Sequence, residues 1–199
     1  MPRVSRAQTE LNRSAIEEAS ARLFREQGLH GVSVEALMSA AGLTHGGFYG
    51  HFASKDEVAA VACQSAFGQS KAVWARRIAS ASSPAEARRQ IAANYLSARH
   101  MSSWGQACPL ASLAVDVARE PAGKPVRAAF LAGVKDLVEM LSGLCTGRTG
   151  RTARAQALAQ LATMVGAVVL ARATQGAPLS EEFLESARAA LLESGGEAS

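Results

Sequence analysis

The amino-acid sequence predicts an all-α protein, and its composition and periodicity both support this fold class. Of the 199 residues, 48% are hydrophobic but only 5% are aromatic. Few segments are rich in β-branched residues or alternate between apolar and polar positions, as half-buried strands do. Apolar residues instead recur at helical spacing, as they do at Ile16, Ala19, Leu23 and Phe24. We therefore predict closely packed helices whose core consists mainly of alanine, leucine and valine.

Capping residues predict where the helices begin and end. Gly28 follows the first predicted helix in the position of a C′ cap, and Ser33, Thr44 and Ser54 are good N-caps for the next three. Pro109 suits the first turn of a helix, which places Cys108 at or beside an N-cap. The predicted helices cover residues 8–27, 34–41, 44–52, 54–80, 85–101, 109–120, 125–144, 153–174 and 180–192, with a basic loop (TGRTGR) at 146–151.

Charge, cysteine usage and hydropathy narrow the functional classes. The formal net charge of +4 and a pI of about 9.3 are compatible with nucleic-acid binding without requiring it. The three cysteines lack the spacing of metal ligands, so we expect no metal or other cofactor and a reducing, cytoplasmic environment. The N-terminus lacks the apolar stretch of a signal peptide, and the most apolar segment, residues 164–173, is too short to span a membrane.

The stretch LTHGGFYGHFASKDE, residues 43–57, combines three glycines with aromatic and histidine side chains. On an α-helical wheel, Thr44, Phe48 and Phe52 share a face that we expect to point inward. Gly46 and Gly50 fall on the opposite face, and the flanks carry His45 and Tyr49 on one side and Gly47 and His51 on the other. The outward face therefore has no side chains along its middle, so its backbone can approach a surface closely.

This arrangement favours DNA recognition over two simpler interpretations. Each helical glycine costs roughly 1 kcal/mol relative to alanine, and burial of two phenylalanines at ~2–3 kcal/mol each offsets much of that. A flexible glycine loop or a phosphate-binding nest would not explain the spacing of Phe48 and Phe52, and the segment lacks a Walker pattern. With the short helix before it, the segment forms a helix-turn-helix, whose second helix lies in the DNA major groove.

Residues 23–58 resemble the N-terminal domain of the TetR/AcrR family of transcriptional repressors. The similarity rests on LF…E.G in the first helix, Ser33-Val34, the AAGL turn and, most specifically, FYGHFASKDE. The resemblance implies a three-helix helix-turn-helix DNA-binding domain over residues 1–53. It also implies a C-terminal helical bundle over residues 54–199 for effector binding and dimerisation. Family members are homodimers that bind pseudo-palindromic double-stranded DNA, and they are not enzymes.

The wheel and the resemblance together assign roles at the DNA interface. We expect Tyr49, His51, Lys55 and Ser33 to contact phosphates. Base edges should lie nearest to Thr44, His45 and Gly46, with Gly47 on the flank. The alternative for the histidines is a solvated surface, and for Lys55 it is a helix-surface charge.

Effector and dimer residues are predicted further along the chain. Cys108, at a helix N-terminus where a thiolate is favoured, is a candidate redox or electrophile sensor, although a buried cap without chemistry is the alternative. Candidate effector contacts are Trp104, Met101, Tyr95, Phe67, Trp74 and Phe130, each of which could instead be core. Candidate dimer contacts are Leu161, Met164, Val165, Val168, Phe183, Ala187 and Leu191, for which the alternative is an internal core stripe.

The sequence thus predicts a dimeric repressor that responds to a small-molecule ligand or an electrophile. One competing function is a cysteine-dependent enzyme using Cys108, which needs a base, and His100 is the nearest histidine. A second is a non-specific DNA-binding protein, for which a stronger basic bias would be expected.

Overall fold

The structure, a computed structural model, describes residues 5–145 and 152–193, and every α-helix or 3₁₀ helix below lies within these ranges; the predicted loop at 146–151 lies outside them. The α-helices are α1 (Arg6–Gln27), α2 (Val34–Ala40), α3 (Lys55–Ser80), α4 (Pro84–Tyr95), α5 (Ala98–Ser102), α6 (Pro109–Arg119), α7 (Pro125–Ser142), α8 (Ala153–Ala173) and α9 (Leu179–Glu193). Two 3₁₀ helices cover His45–Gly50 and Trp104–Gln106. The described part of the chain has no strand, so the all-α prediction is confirmed.

Several predicted caps are present. The hydroxyl oxygen of Ser33 accepts a hydrogen bond from Ala36 N at 3.2 Å, and that of Ser54 accepts one from Glu57 N at 3.2 Å. Gly28 ends α1 with φ +78°, a conformation that side chains rarely adopt. Cys108 is the N-cap of α6 and Pro109 is in its first turn. Local capping chemistry therefore fixed these helix ends to within a residue or two.

The predicted helix over residues 85–101 is wrong, because the structure has two helices there. The chain turns at Leu96, and Ser97 caps α5 by accepting from His100 N at 3.1 Å. Side chains from distant helices satisfy the carbonyls freed by the break. Arg188 donates to Leu96 O, and Arg172 donates to Met101 O and His100 O at 3.0 and 3.1 Å. These partners are far apart in sequence, so local periodicity did not reveal the break.

The predicted recognition helix is also shorter and tighter than expected. It is a 3₁₀ helix over His45–Gly50, not an α-helix over 44–52. Three glycines in six residues weaken an α-helix, and short 3₁₀ turns are a common alternative. Thr44 occupies the N-cap position, but its side chain makes no capping hydrogen bond and is exposed, so its predicted inward orientation is wrong.

The described residues fall into two compact units, and the chain passes between them within α3, between Ser103 and Trp104, and within α7. Unit 1 comprises the chain up to Gly68 together with Trp104–Gly133. Within it α1 contacts α2, α6 and the second 3₁₀ helix, while α2 contacts the first 3₁₀ helix. Its most buried side chains include Ile16, Phe24, Leu37, Met38 and Leu113. The predicted boundary between residues 53 and 54 concerns functional roles and remains a prediction.

Unit 2 comprises Gln69–Ser103 together with the chain from Val134 onward. Helices α8 and α9 pack along each other, and α4 contacts both of them as well as α5. By length and composition, α8 is the one described helix that could cross a membrane, with a mean hydropathy of 1.3 over 21 residues. Core helices of soluble proteins meet the same length and composition criteria, so this finding identifies no clear membrane span.

Candidate nucleic-acid interface

The 3₁₀ helix over residues 45–50, called the recognition segment below, presents a smooth outer surface. Gly46 and Gly50 are exposed, and a Cβ atom added to either would meet no other atom within 4 Å. A Cβ on Gly47 would lie 3.6 Å from the Met38 side chain, an ordinary contact. The predicted outward orientation of Gly46 and Gly50 is therefore confirmed. Within the part of the chain that the structure describes, no neighbouring atom requires a glycine at these two positions.

Two buried phenylalanines anchor the recognition segment from below, as predicted. Phe48 and Phe52 are 0% and 2% exposed, and their ring centroids lie 6.0 Å apart. Tyr49 stands edge-on to Phe48, with ring centroids 5.3 Å apart, yet it is 73% exposed. An exposed tyrosine held in place by an aromatic neighbour suits a phosphate contact, because its hydroxyl is free to donate and its ring is already oriented.

Glu35 of α2 is a neighbour of the recognition segment that sequence reasoning missed. Its Oε1 lies 3.6 Å from His45 Nδ1, and both side chains are more than half exposed. Backbone amides and the Ser33 hydroxyl hold the pKa of Glu35 below its usual range, and His45 adds to this effect. Ser33, His45 and the acceptor-only carboxylate of Glu35 therefore share one exposed surface.

The other two predicted phosphate contacts follow the recognition segment. Lys55 is half-buried at the first position of α3. His51 is half-buried, and its Nδ1 is enclosed without a hydrogen-bond partner among the described residues. If His51 contacts a phosphate, it therefore does so through its other ring nitrogen, Nε2. Arg13 of α1, which sequence reasoning also missed, donates to the backbone carbonyl of His51.

The region that contains most of these residues is similar to a known protein family. Residues 16–62 match the family model described as "Bacterial regulatory proteins, tetR family". This match places residues 16–62 in the TetR family of bacterial regulators. A search of the curated proteins finds no match.

Solved structures of TetR-family regulators share the fold over nearly the whole chain. A TetR-family transcriptional regulator from Agrobacterium tumefaciens aligns with a TM-score of 0.77 at 21% identity, covering 94% of this chain and 98% of that one. The reduced form of E. coli NemR aligns with a TM-score of 0.78 at 19% identity, covering 92% and 95%. FadR from Bacillus subtilis, in complex with stearoyl-CoA, aligns with a TM-score of 0.70 at 16% identity, covering 90% and 97%.

The predicted effector and sensor residues are divided between the two units. Cys108, Trp104, Phe67 and Phe130 belong to unit 1, whereas Met101, Tyr95 and Trp74 belong to unit 2. The rings of Phe67 and Phe130 meet edge-on, 5.4 Å apart. Phe67, Tyr95 and Trp74 are at most 3% exposed, as core residues are, while Trp104 is 40% exposed.

Cys108 lies beside a buried arginine, Arg25, that the sequence did not single out. The thiol is 4% exposed and Arg25 is 3% exposed. The guanidinium donates to Ala107 O, immediately before Cys108, at 3.1 Å, and to Ala21 O at 2.7 Å. Burial lowers the pKa of Arg25 to about 10, and the neighbouring Cys108 and Glu26 oppose this shift.

The surroundings of Cys63 and Cys145 disfavour their thiolate forms. Burial raises the pKa of Cys63 to about 12, and it also raises the pKa of Cys145, although Arg88 opposes the second shift. Because the thiolate is the reactive species, both are poor nucleophiles.

Most of the predicted dimer contacts lie inside unit 2. Leu161, Met164, Val168 and Ala187 are at most 7% exposed, and the two helices that carry them, α8 and α9, pack on each other. The remaining three, Val165, Phe183 and Leu191, are partly exposed. The outer face of α8 carries apolar side chains that sequence reasoning did not choose: Leu158, Val169 and Leu170 are 46%, 38% and 46% exposed.

Unit 2 also contains a small cavity between α4, α7, α8 and α9. Its volume is about 10 Å³, room for roughly one water molecule, and its walls include Arg88, Leu141, Gln160 and Met164. It is far smaller than the hundreds of Å³ typical of ligand pockets, so we assign no effector to it.

Proposed function

We propose that the chain is a homodimeric transcriptional repressor, not an enzyme, that binds a pseudo-palindromic operator in double-stranded DNA. Release from the operator follows binding of a small molecule or reaction with an electrophile or oxidant. The observation that carries the proposal is the recognition segment, which exposes backbone at Gly46 and Gly50 between polar aromatic side chains. We further propose that it acts in the cytoplasm without a membrane partner.

The contacts within this surface support separate tasks for its residues. Tyr49, His51, Lys55 and Ser33 are proposed to hold phosphates and so to fix the register of the protein on DNA. Thr44, His45, Gly46 and Gly47 are proposed to face the base edges. One short recognition segment reads few base pairs, and two-fold symmetry supplies a second half-site.

The first experiment selects binding sequences from fragmented source DNA with the purified protein at ~150 mM salt, at which exposed charges are largely screened. We expect enrichment of one inverted repeat whose half-sites lie about one helical turn apart. Diffuse recovery that disappears with added salt would instead identify the non-specific DNA-binding alternative.

For dimerisation, we propose the outer face of α8, where Leu158, Val165 and Val169 recur at helical spacing. Sedimentation velocity of a Val169→Glu variant should show mainly monomer. Its affinity for the operator should fall in proportion to the loss of dimer. Leu131→Glu provides a matched control, because Leu131 is an exposed leucine on α7, outside this face. If Val169→Glu remains a dimer, the interface lies elsewhere.

For the response, we propose that Cys108 is the reactive group and that Arg25 stabilises its thiolate. The solved reduced form of NemR and the stearoyl-CoA bound to FadR, two structures that share this fold, support a chemical effector. Because Cys108 is buried, we expect small oxidants such as hydrogen peroxide to act faster than bulky alkylating reagents.

The test measures operator release by hydrogen peroxide in Cys108→Ser, with Cys63→Ser and Cys145→Ser as matched controls. Release should disappear only in Cys108→Ser, and continued release in that variant would move the sensor elsewhere. The enzyme alternative is tested by turnover of ester and thioester substrates, which we expect to be absent in the wild-type protein.

A further inference from the structure

The recognition segment needs support from outside itself. It contains Gly46, Gly47 and Gly50, and each glycine weakens a helix by roughly 1 kcal/mol relative to alanine. A 3₁₀ helix also has poorer hydrogen-bond geometry than an α-helix. Phe48 and Phe52 hold the segment from the core side, but burial of apolar rings is not directional. Contacts with defined geometry must set its orientation.

Arg13 of α1 provides such contacts at the C-terminal end of the segment. Its guanidinium donates to the backbone carbonyl of His51, the residue that ends the 3₁₀ helix. The same group lies over the ring of Phe52, with Cζ 4.1 Å from the ring centroid. One planar side chain therefore fixes both a backbone carbonyl and the phenylalanine that anchors the segment.

Arg13 is held in turn by two carboxylates. Its Nε lies 3.1 Å from Glu17 on the same helix, and its Nη2 lies 3.5 Å from Glu57 on α3. Glu57 also accepts a hydrogen bond from the backbone N–H of Ala53 at 2.7 Å. Arg13 contacts His51 and Glu57 contacts Ala53, so together the two side chains hold the short stretch that leads from the recognition segment to Lys55.

The positive charge and the N–H donors of Arg13 are largely engaged by other groups of the protein. Its side chain is 38% exposed and is engaged by a carbonyl, a ring and two carboxylates, whereas Arg6 on the same helix is 94% exposed. A phosphate would have to displace these partners in order to bind Arg13. The described ion pair of Arg6 is with the exposed Glu10, which a phosphate could displace more easily.

We propose that Arg13 is a positioning residue of the DNA interface, which orients the recognition segment and Lys55 without contacting DNA. The inference rests on the proposed function, since it presumes operator binding through this segment. It predicts that loss of Arg13 reduces discrimination between the operator and other DNA, while electrostatic attraction to DNA is retained.

The experiment compares Arg13→Met, Arg13→Lys and the matched control Arg6→Met in the full-length protein. For each we would measure affinity for the selected operator, affinity for an unrelated duplex, the salt dependence of both, and the melting temperature. Arg13→Met should weaken operator binding by roughly tenfold to a hundredfold, the range typical of residues that orient a binding group. Its affinity for unrelated DNA should stay within about twofold and its salt slope should be unchanged.

Arg13→Lys separates positioning from charge. Lysine retains the charge but lacks the planar group that stacks and bridges, so we expect a similar loss of operator affinity. Rescue by lysine, with a salt slope reduced by about 0.9 in Arg13→Met, would show that Arg13 binds a phosphate and would overturn the proposal. An equal loss of specific and unrelated binding would also overturn it, because general destabilisation acts on both.

Glu57→Gln tests the same idea if Arg13 variants do not fold. Glutamine can still accept from Ala53 N, but it no longer carries the charge that pairs with Arg13. We expect a smaller loss with the same signature: weaker operator binding, unchanged unrelated binding and an unchanged salt slope. Equal binding of all duplexes by the wild-type protein would contradict the proposed function itself, and so is distinguishable from failure of the Arg13 variants.

Discussion

The recognition segment and the break between α4 and α5 interrupt the helices in opposite ways. Both leave backbone carbonyls outside a regular helix, and in both an arginine from a distant helix donates to them. The recognition segment is open, with Gly46 and Gly50 facing empty space. At the break, by contrast, Tyr95, Leu96 and Arg172 are at most 7% exposed.

The difference shows what each interruption is for. A closed break with every contact inside the protein serves stability, so changes there should appear as unfolding. An open segment whose outward positions touch nothing gains little from its glycines in the free protein. Changes there should appear in binding instead. Three measurements separate these cases, beginning with the largest expected effect.

Replacing Arg172 with methionine should strongly destabilise the protein. The substitution leaves the carbonyls of His100 and Met101 without their arginine donor in a buried region, and we expect a loss of about 3 kcal/mol in the free energy of unfolding. For a chain of this size, that corresponds to a melting temperature lower by roughly 6–12 °C. Arg154→Met on the exposed face of the same helix is the control, and equal melting of the two variants would contradict this account.

Acid should weaken the closed break through His100. The pKa of His100 is lowered from 6.5 to about 4, mainly by burial and also by the charge of Arg172, while the hydrogen bond from Nδ1 to Tyr95 O opposes the shift. Protonation therefore favours the unfolded chain. This contribution is fully present above pH 6.5 and is lost as the pH falls from 6.5 towards 4, by about 2 kcal/mol at pH 5.

Denaturant unfolding of the wild-type protein and of His100→Gln at pH 7 and pH 5 checks this expectation. Carboxylates titrate equally in both proteins, so the difference between their pH dependences isolates His100. Identical pH dependences would show that His100 does not titrate in this range.

Gly46→Ala should separate stability from binding at the open segment. Alanine stabilises a helical position by up to about 1 kcal/mol, and its methyl group meets no atom of the protein. We nevertheless expect operator affinity to fall about tenfold, or 1.4 kcal/mol, because the methyl group keeps the backbone away from the groove. Gly68→Ala in α3 also adds a methyl group to open space, and should raise stability without changing affinity. Unchanged operator binding by Gly46→Ala would refute close backbone approach.

The contrast between the two interruptions also explains what sequence reasoning achieved. Ser33, Gly28 and Pro109 act on residues next to them, so their helix ends were predicted from local chemistry. The burial of Phe48 and Phe52 followed from their spacing.

What the sequence did not reveal depends on distant partners. The turn at Leu96 and the positions of Arg13 and Arg25 all involve side chains that meet only after folding. For a single arginine in an amphipathic helix, the neighbouring sequence does not indicate whether its side chain makes buried tertiary contacts or is exposed to solvent. At the interface, Glu35 was missed for the same reason.

The contact between Arg13 and His51 has a practical consequence for protein engineering. One way to transfer operator specificity would be to graft only the residues from Ser33 to Lys55 onto another scaffold. In this protein such a graft would leave behind the arginine that supports its C-terminal end. A chimaera intended to bind the same operator should therefore include α1 as well, so that the recognition segment keeps the arginine that orients it.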